Sequence, residues 1–255
     1  MATPFDLTGK TAIVTGAGRG IGHAIARTLA QAGANIGVAE FDETAGQQAA
    51  NDLTTLGVQN HFVQTDVRDS SSVRAMVQAF KDHFGTLDIM VNNAGIARNT
   101  PSEDVTDDEW LEVMNVNLNG VFWCCRQIGR VMLEQGHGSI VNIASMSGMV
   151  ANTPQPQSAY NASKAGVILL TRSLAVEWTG RGVRVNSVSP GYIGTEMTKL
   201  GMNTEGWGER WLDLTPMGKL GEPVDVANAV LYLASDAAAF SSGTNLVLDG
   251  GYTAQ

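Results

Sequence analysis

The feature that most constrains the fold is a regular alternation of short apolar runs with longer segments of helical spacing. The run Thr11–Thr15 ends in glycines, and the apolar residues from Ile21 to Ala32 then recur at helical intervals until Gly33. Strands that alternate with helices in this way predict a parallel sheet with helices on both faces. The predicted strands are Thr11–Thr15, Asn35–Ala39, His61–Gln64, Leu87–Val91, Ser139–Ile143, Arg184–Ser189 and Asn245–Leu248, and the predicted helices are Ile21–Ala32, Asp42–Leu56, Ser71–Phe84, Asp107–Glu134, Ser158–Thr179 and Pro223–Ala234.

Nothing in the sequence divides this pattern into separate domains. The 255 residues include 44% hydrophobic and 16% charged residues, with no proline-rich linker or break in composition. We therefore predict one domain over residues 1–255, an α/β fold with a doubly wound, Rossmann-like parallel sheet in three αβα layers. No period is clear from Gly191 to Thr215, and we interpret residues 192–215 as a mobile segment that covers a substrate cleft.

Charge and composition exclude several classes of partner. Acidic residues outnumber basic ones by 25 to 16, and no cluster of lysines or arginines offers a surface for a polyanion, so we expect no nucleic-acid partner. The N-terminal residues lack a basic and then apolar leader, and no apolar run reaches the ~20 residues that a bilayer requires. A soluble cytoplasmic protein without a membrane partner is expected. The adjacent Cys124 and Cys125 are interpreted as buried helix residues, and no Cys/His spacing indicates a zinc site.

The turn after the first strand has the properties of a nucleotide site. It carries Gly16, Gly20 and Gly22 between a strand and a helix. Glycines permit a tight turn and a close approach of the backbone to a pyrophosphate, and the N-terminus of the helix directs unpaired N–H groups at it. Glycine alone is common in such turns, but this position between strand and helix favours dinucleotide binding.

The residue at the end of the second strand indicates which dinucleotide is bound. Glu40 can accept hydrogen bonds from both hydroxyls of an adenosine ribose, and Phe41 follows it where a basic residue would favour a 2′-phosphate. We therefore expect NAD as the cofactor, with NADP as the alternative because Arg19 lies in the glycine turn. Glu40 could also be an exposed acid at a strand end.

Two further strand ends carry polar residues on the same edge of the predicted sheet. Asp66 and Val67 follow the third strand, where a carboxylate can accept from the adenine amino group while an apolar side chain lines the ring. Asn93, Ala94 and Gly95 follow the fourth strand. Asp66 could equally cap the next helix.

A tyrosine and a lysine one helical turn apart supply proton chemistry. Tyr160 and Lys164 share a helix face, so the ammonium of Lys164 is expected to lower the pKa of the phenol, and Ser145 lies fifteen positions upstream at a strand end. Hydride transfer between an alcohol and a ketone requires one acid/base group and one hydrogen-bond donor to the reacting oxygen. Tyr160 suits the first role and Ser145 the second, while Lys164 can also bind the nicotinamide ribose.

Four motifs in order make the chain resemble the short-chain dehydrogenase/reductase family over nearly its whole length. They are TGAGRGIG at 15–22, NNAG at 92–95, YNASK at 160–164 and SPGYIGT at 189–195. The resemblance implies catalytic roles for Ser145, Tyr160 and Lys164 and adds Asn117 as the residue that bends its helix and holds a water on a proton path. The residues expected to contact the cofactor are Gly16, Arg19, Gly20, Ile21, Gly22, Glu40, Asp66, Val67, Asn93, Ala94, Gly95, Tyr160, Lys164, Pro190, Gly191, Ile193 and Thr195.

The loop between Ser145 and Tyr160 is longer than is usual in that family and rich in amides and hydroxyls. Ser147, Asn152 and Gln157, with Tyr192 downstream, could hydrogen-bond a polyhydroxylated substrate, or the loop residues could simply fix turns in solvent. SMSG and PQPQSAYNASK are most similar to members that oxidise sugar alcohols, so a polyol or vicinal diol is the expected substrate. The alternatives are an NADPH-dependent reductase of 3-oxoacyl carriers or apolar ketones and, more distantly, a non-catalytic nucleotide sensor.

Apolar residues on more than one face of two helices indicate an oligomer. Phe122 and Trp123 on the fourth predicted helix and Leu169 on the fifth require cover, and the resemblance implies a homotetramer with two-fold axes. The C-terminus is similar to that of members that hold a structural divalent cation such as Mg²⁺ at the carboxylate of Gln255. No catalytic metal is expected.

Overall fold

Seven parallel strands form one sheet, as the alternation predicts. The computed structural model describes residues 3–255, without the side chains of Met197 and Leu200. The strand order is β3-β2-β1-β4-β5-β6-β7, and every pair is parallel. The strands are β1 (Thr11–Thr15), β2 (Asn35–Glu40), β3 (Asn60–Gln64), β4 (Ile89–Asn92), β5 (Gly138–Ile143), β6 (Val183–Pro190) and β7 (Asn245–Leu248).

Helices cover both faces of this sheet. Their bounds are α1 (Gly20–Gln31), α2 (Glu43–Thr54), α3 (Ser70–Phe84), α4 (Asp107–Met114), α5 (Gly120–Gln135), α6 (Ser158–Trp178), α7 (Glu196–Met202), α8 (Trp207–Asp213) and α9 (Pro223–Ala234). Two hydrophobic clusters show the layers: α1, α2 and α9 pack on one face, and α3, α5 and α6 pack on the other. Neighbouring residues of β1 alternate between them, since Val14 joins the first cluster and Ile13 the second. The doubly wound α/β fold is therefore confirmed.

The chain changes direction across the sheet between β1 and β4. In open parallel sheets a ligand binds in the crevice beyond the strand ends at this switch point. The glycine turn follows β1 and the Asn93 loop follows β4, so both predicted cofactor segments border the crevice.

Two predictions of secondary structure were wrong. The helix expected over Asp107–Glu134 is interrupted at Asn115–Asn119 by a π-helical turn, which apolar spacing cannot reveal. The stretch from Gly191 to Thr215, expected to lack a period, contains α7 and α8. Thr195 before Glu196 is a helix-capping signal, and its hydroxyl accepts from the Thr198 amide at 3.3 Å.

No helix among residues 3–255 combines the length and the apolar character required to cross a bilayer.

Candidate active site

The glycine turn has a backbone conformation that residues with a side chain could not adopt. Gly16 and Gly20 have φ of +63° and +55°, and a Cβ on Gly22 would lie 2.0 Å from the carbonyl oxygen of Gly16. The turn thus brings backbone to the surface of the crevice at the N-terminus of α1, while Ile21 packs on the core. This cradle fits the pyrophosphate of a dinucleotide.

Glu40 is held in place by backbone amides at the end of β2. Its Oε2 accepts from the Gly18 amide at 3.0 Å, and its Oε1 accepts from the Phe41 amide at 2.8 Å. Arg19 is exposed, and its guanidinium donates to Asp42 at 3.0 Å. Two carboxylates therefore lie near the end of β2, and the arginine is paired with one of them.

Asp66 lies at the same edge of the sheet but is already bound by a cation. Arg68 donates to both of its carboxylate oxygens, at 2.7–3.1 Å, and lowers the pKa of Asp66. Asp66 does not cap α3, because the carboxylate of Asp69 accepts from the Ser71 amide instead. The guanidinium of Arg68 also lies 5.3 Å from the ring centroid of Phe41. We did not predict a role for Arg68 from the sequence, although a cation two residues after Asp66 indicates an ion pair.

The loop after β4 is tied to the glycine turn through Thr15, a residue that sequence reasoning did not select. The Thr15 hydroxyl accepts from the amides of Asn93 and Ala94 at 3.0 and 3.1 Å, and the Asn93 side chain donates to the Thr15 and Gly16 carbonyls. Val67 contacts the start of α5, since a Cβ on Gly120 would lie 3.0 Å from it. The two predicted cofactor segments are thus one rigid unit.

Asn117 lies fully buried in the π turn and joins three elements. Its Oδ1 accepts from the Ile96 amide at 2.8 Å, and its Nδ2 donates to the Ile96 carbonyl at 2.9 Å and to the Ser163 hydroxyl at 3.1 Å. A Cβ on Gly95 would lie 3.4 Å from this amide and 3.5 Å from the Lys164 amine. The turn therefore fixes the loop after β4 against α6.

Ser145, Tyr160 and Lys164 meet beyond the end of β5. Ser145 and Tyr160 line one cavity, and the Lys164 amine lies 5.7 Å from the centroid of the Tyr160 ring. The predicted effect of Lys164 on Tyr160 is absent: burial raises the pKa of Tyr160, and the Ser145 hydroxyl is what opposes this rise. Lys164 instead donates to the Ile143 carbonyl at 2.8 Å, and burial lowers its own pKa to about 8.

The segment after β6 passes beside the glycine turn. Gly191 donates to Leu248 at 2.8 Å, and its Cα has no room for a Cβ, which would lie 2.7 Å from Asp249. Pro190 ends the strand, and Ile193 is buried and pairs with Gly221. The Thr195 side chain would lie 3.5 Å from a Cβ on Gly20. Pro190, Gly191, Ile193 and Thr195 thus follow the end of β6, and Thr195 comes close to the glycine turn.

The cavity in front of Ser145 and Tyr160 has a volume of about 330 Å³. Ser147, Gln157 and Tyr192, three of the residues expected to contact a substrate, are among its lining residues. Asn152 is not, and its side chain donates to the Tyr192 hydroxyl at 3.3 Å. The residues that line it are Ala97, Asn99, Ser145, Met146, Ser147, Gln155, Gln157, Tyr160, Gly191, Tyr192, Thr198, Gly201, Thr204, Trp207 and Trp211. Sequence reasoning missed Gln155, which is buried although it lies in a loop.

The remaining candidate residues, the two cysteines and the C-terminal glutamine, lie outside this crevice. Cys124 and Cys125 are free and buried, and burial raises the pKa of Cys125 to about 12. The Gln255 side chain donates to the Leu214 carbonyl at 2.7 Å. Within the described part of the chain, no group of three or more His, Cys, Asp or Glu side chains could hold a metal ion.

Comparisons with known proteins place this geometry among alcohol dehydrogenases and ketone reductases. A family model described as enoyl-(acyl carrier protein) reductase matches residues 16–253. A galactitol 2-dehydrogenase of Rhizobium johnstonii is 46% identical over 253 residues, covering 98% of this chain and 97% of the relative. A D-threitol dehydrogenase of Mycolicibacterium smegmatis is 41% identical, covering 98% and 95%, and a 3-oxoacyl-acyl-carrier-protein reductase of Chlamydia pneumoniae is 38% identical, covering 98% and 99%.

Solved structures agree over nearly the whole chain. A short-chain type dehydrogenase/reductase from Mycobacterium marinum superposes with a TM-score of 0.95 at 38% identity, covering 98% of each chain. A gluconate 5-dehydrogenase from Burkholderia cenocepacia, in complex with NADP and tartrate, superposes with a TM-score of 0.94 at 35% identity, covering 99% of this chain and 98% of the other.

Proposed function

This chain belongs to the short-chain dehydrogenase/reductase family and is an oxidoreductase of alcohol groups, and we propose that it interconverts a neutral polyol and the matching ketose with NAD as cofactor. The galactitol and threitol dehydrogenases among its relatives support this choice of substrate. They act on uncharged molecules with many hydroxyl groups.

The observation that carries the proposal is the lining of the cavity. Most of the lining side chains are amides, hydroxyls or phenols, and none of those that the structure describes carries a formal charge. Buried polar groups of this kind favour a substrate that can pair with them and disfavour one that cannot. An anionic substrate such as gluconate would find no cation among these lining residues, and the net charge of −9 does not favour an acidic carrier protein.

The catalytic roles belong to the same proposal. Tyr160 exchanges a proton with the reacting oxygen, as the phenol when a ketone is reduced and as the phenolate when an alcohol is oxidised. Ser145 donates a hydrogen bond to the same oxygen, because these two residues share the cavity. Lys164 and Asn117 lie next to this pair of residues. The Lys164 amine can hold the nicotinamide ribose, and the Asn117 side-chain amide can hold a water. The cofactor, when bound, supplies the hydride acceptor.

The preference for NAD is supported by the charges at the end of β2. Glu40 presents a carboxylate that two backbone amides fix, and Asp42 pairs with Arg19, the cation that could otherwise receive a 2′-phosphate. The remaining predicted contacts, from the glycine turn through Asp66, Asn93 and Thr195, border one crevice and can hold the rest of the dinucleotide.

We further propose which segment covers the substrate, how the enzyme assembles and where it is located. Residues 192–215, which include α7 and α8, would cover the substrate, since Tyr192, Trp207 and Trp211 line the cavity. We also propose a homotetramer in the cytoplasm, a compartment that suits free cysteines. A structural cation at the Gln255 carboxylate would require further ligands from outside the described residues. A change in the size of the assembly after treatment with a chelator would detect such a cation.

A substrate and cofactor screen tests the proposal. Galactitol, threitol, gluconate, a 3-oxoacyl thioester and an apolar ketone are compared by kcat/KM, each with NAD and NADP or their reduced forms. We expect the highest values with a neutral polyol and NAD. Turnover confined to the thioester would overturn the polyol assignment.

In Glu40→Ser the preference for NAD over NADP should fall by at least ~10-fold. The control variant Glu43→Gln replaces an exposed acid at the start of α2 and should keep the wild-type preference.

A further inference from the structure

Four side chains form a connected hydrogen-bond network in the cavity wall, here called the amide–phenol network. The Trp211 indole donates to the Gln155 side-chain oxygen at 2.8 Å, and the Gln155 amide nitrogen donates to the Tyr192 hydroxyl at 3.0 Å. The Asn152 amide nitrogen donates to the same hydroxyl at 3.3 Å. The network joins the long loop after Ser145 to α8, so two segments distant in sequence share it.

Trp211 fixes the orientation of the Gln155 amide. An indole N–H can only donate, so the Gln155 atom that faces it must be the oxygen, and the NH₂ group must face Tyr192. The Trp211 ring is itself immobilised, because it stacks on Tyr192 with centroids 4.3 Å apart and leaves no room for a Cβ on Gly201. Gln155 therefore has one permitted amide orientation.

This orientation determines what the Tyr192 hydroxyl can offer. Its oxygen already accepts from two amides, so its own proton is left to be donated, either to a bound substrate or to Tyr252, whose hydrogen bond also contributes to the raised pKa of Tyr192. Burial raises the pKa of Tyr192 to about 12, so the hydroxyl stays protonated across the working range of an enzyme. Tyr192 lines the cavity and makes no hydrogen bond to Ser145 or Tyr160 among the described residues, so its hydroxyl is separate from the pair proposed to act on the reacting oxygen.

We propose that Gln155 and Trp211 fix Tyr192 as an obligate hydrogen-bond donor to a second hydroxyl of the substrate, and that this donor selects polyols over alcohols with a single hydroxyl. The inference rests on the proposed function and names the residue that makes the cavity specific. Tyr192 contacts the substrate, whereas Gln155 and Trp211 are positioning residues. Tyr252, whose ring meets that of Tyr192 edge to face at 5.8 Å, is the competing recipient of the proton.

The test compares NAD-dependent oxidation of galactitol with that of 2-butanol by the wild type, Tyr192→Phe, Trp211→Phe and Tyr252→Phe. Loss of one hydrogen bond to a bound polar group costs ~10–100-fold, so the galactitol to 2-butanol ratio of kcat/KM should fall by that factor in Tyr192→Phe, mainly through a higher KM for galactitol. Trp211→Phe keeps an aromatic ring but frees the Gln155 amide to rotate. The galactitol to 2-butanol ratio should therefore fall in this variant, but less than in Tyr192→Phe. Tyr252→Phe, outside the cavity lining, should keep the wild-type ratio.

Each outcome has one meaning. No oxidation of either galactitol or threitol by the wild type would overturn the proposed function together with this inference. Oxidation by the wild type with an unaltered ratio in Tyr192→Phe would overturn the inference alone. A higher ratio in Tyr252→Phe together with an unaltered ratio in Tyr192→Phe would show that Tyr192 gives its proton to Tyr252 in the wild type, which also overturns it. If Tyr192→Phe does not fold, as judged by circular dichroism, an unaltered ratio in Trp211→Phe contradicts the proposal.

Discussion

Burial changes the proton affinity of both titratable residues at the proposed catalytic site. The sequence placed Tyr160 and Lys164 on one helix face, and the structure brings both to the end of β5 beside Ser145. Their pKa shifts could not be predicted from spacing, because desolvation depends on residues from other elements that close over them. For the same reason spacing could not reveal that the Ile143 carbonyl accepts the hydrogen bond of Lys164.

The buried lysine gives the fold a pH dependence that can be measured. Lys164 loses its proton at about pH 8 in the folded chain but near its ordinary value of 10.5 when unfolded. Between these values the unfolded state binds more protons, so this residue raises the free energy of unfolding as the pH rises, by on the order of 3 kcal/mol in total. Denaturant unfolding of the wild type and Lys164→Met from pH 7.5 to 10.5 isolates the effect from other groups. The difference between them should shift in favour of the wild type with rising pH, and parallel curves would contradict a depressed pKa.

Among the secondary-structure elements, the π turn is the one that sequence periodicity could not find. Apolar residues continue at helical intervals through residues 115–119, so the pattern predicts an unbroken helix, and only the family resemblance indicated a bend at Asn117. The helices α7 and α8 were missed for a different reason, since each is only 7 residues long and lies on a cavity rather than on the core. The core elements β1 and α9 were predicted to the residue because burial in the core imposes their pattern.

Asn117 should contribute to stability through its three hydrogen bonds. Asn117→Ala leaves the Ile96 amide and carbonyl without their buried partner, which costs about 1–3 kcal/mol. Asn115→Ala is the matched control, because Asn115 lies in the same turn, is half-buried and bonds only the Asn119 side chain through its own side chain. Urea unfolding of the two variants should separate them by at least ~1 kcal/mol. Equal losses would show that Asn117 does not join the turn to its neighbours.

At the scale of the whole molecule, the outer faces of α4, α5 and α6 expose apolar side chains. Leu169 and Val176 on α6 are 64% and 87% exposed, and Trp110, Leu111 and Phe122 lie on the outer parts of α4 and α5. Residues seven apart share a helix face, so this surface is continuous along α6. The sequence predicted that these helices would require cover, and the proposed homotetramer would supply it.

A charge on this surface should disrupt the assembly. Val176→Glu would bury a carboxylate in an apolar interface, so sedimentation equilibrium should show species smaller than a tetramer at concentrations where the wild type is tetrameric. Gln47→Glu adds the same charge at an exposed position on α2 and should leave the size unchanged. Identical masses for Val176→Glu and the wild type would place the interface elsewhere.

The most direct test of the account is the turnover of Tyr160→Phe. This variant keeps the ring and removes the hydroxyl that is proposed to take the proton of the alcohol, so kcat/KM for NAD-dependent polyol oxidation should fall by ~10²–10⁴. Fluorescence titration should give a Kd for NADH within a few-fold of the wild type, because the glycine turn and Glu40 are untouched. A Tyr160→Phe enzyme that binds NADH normally and oxidises the polyol at the wild-type rate would contradict the account.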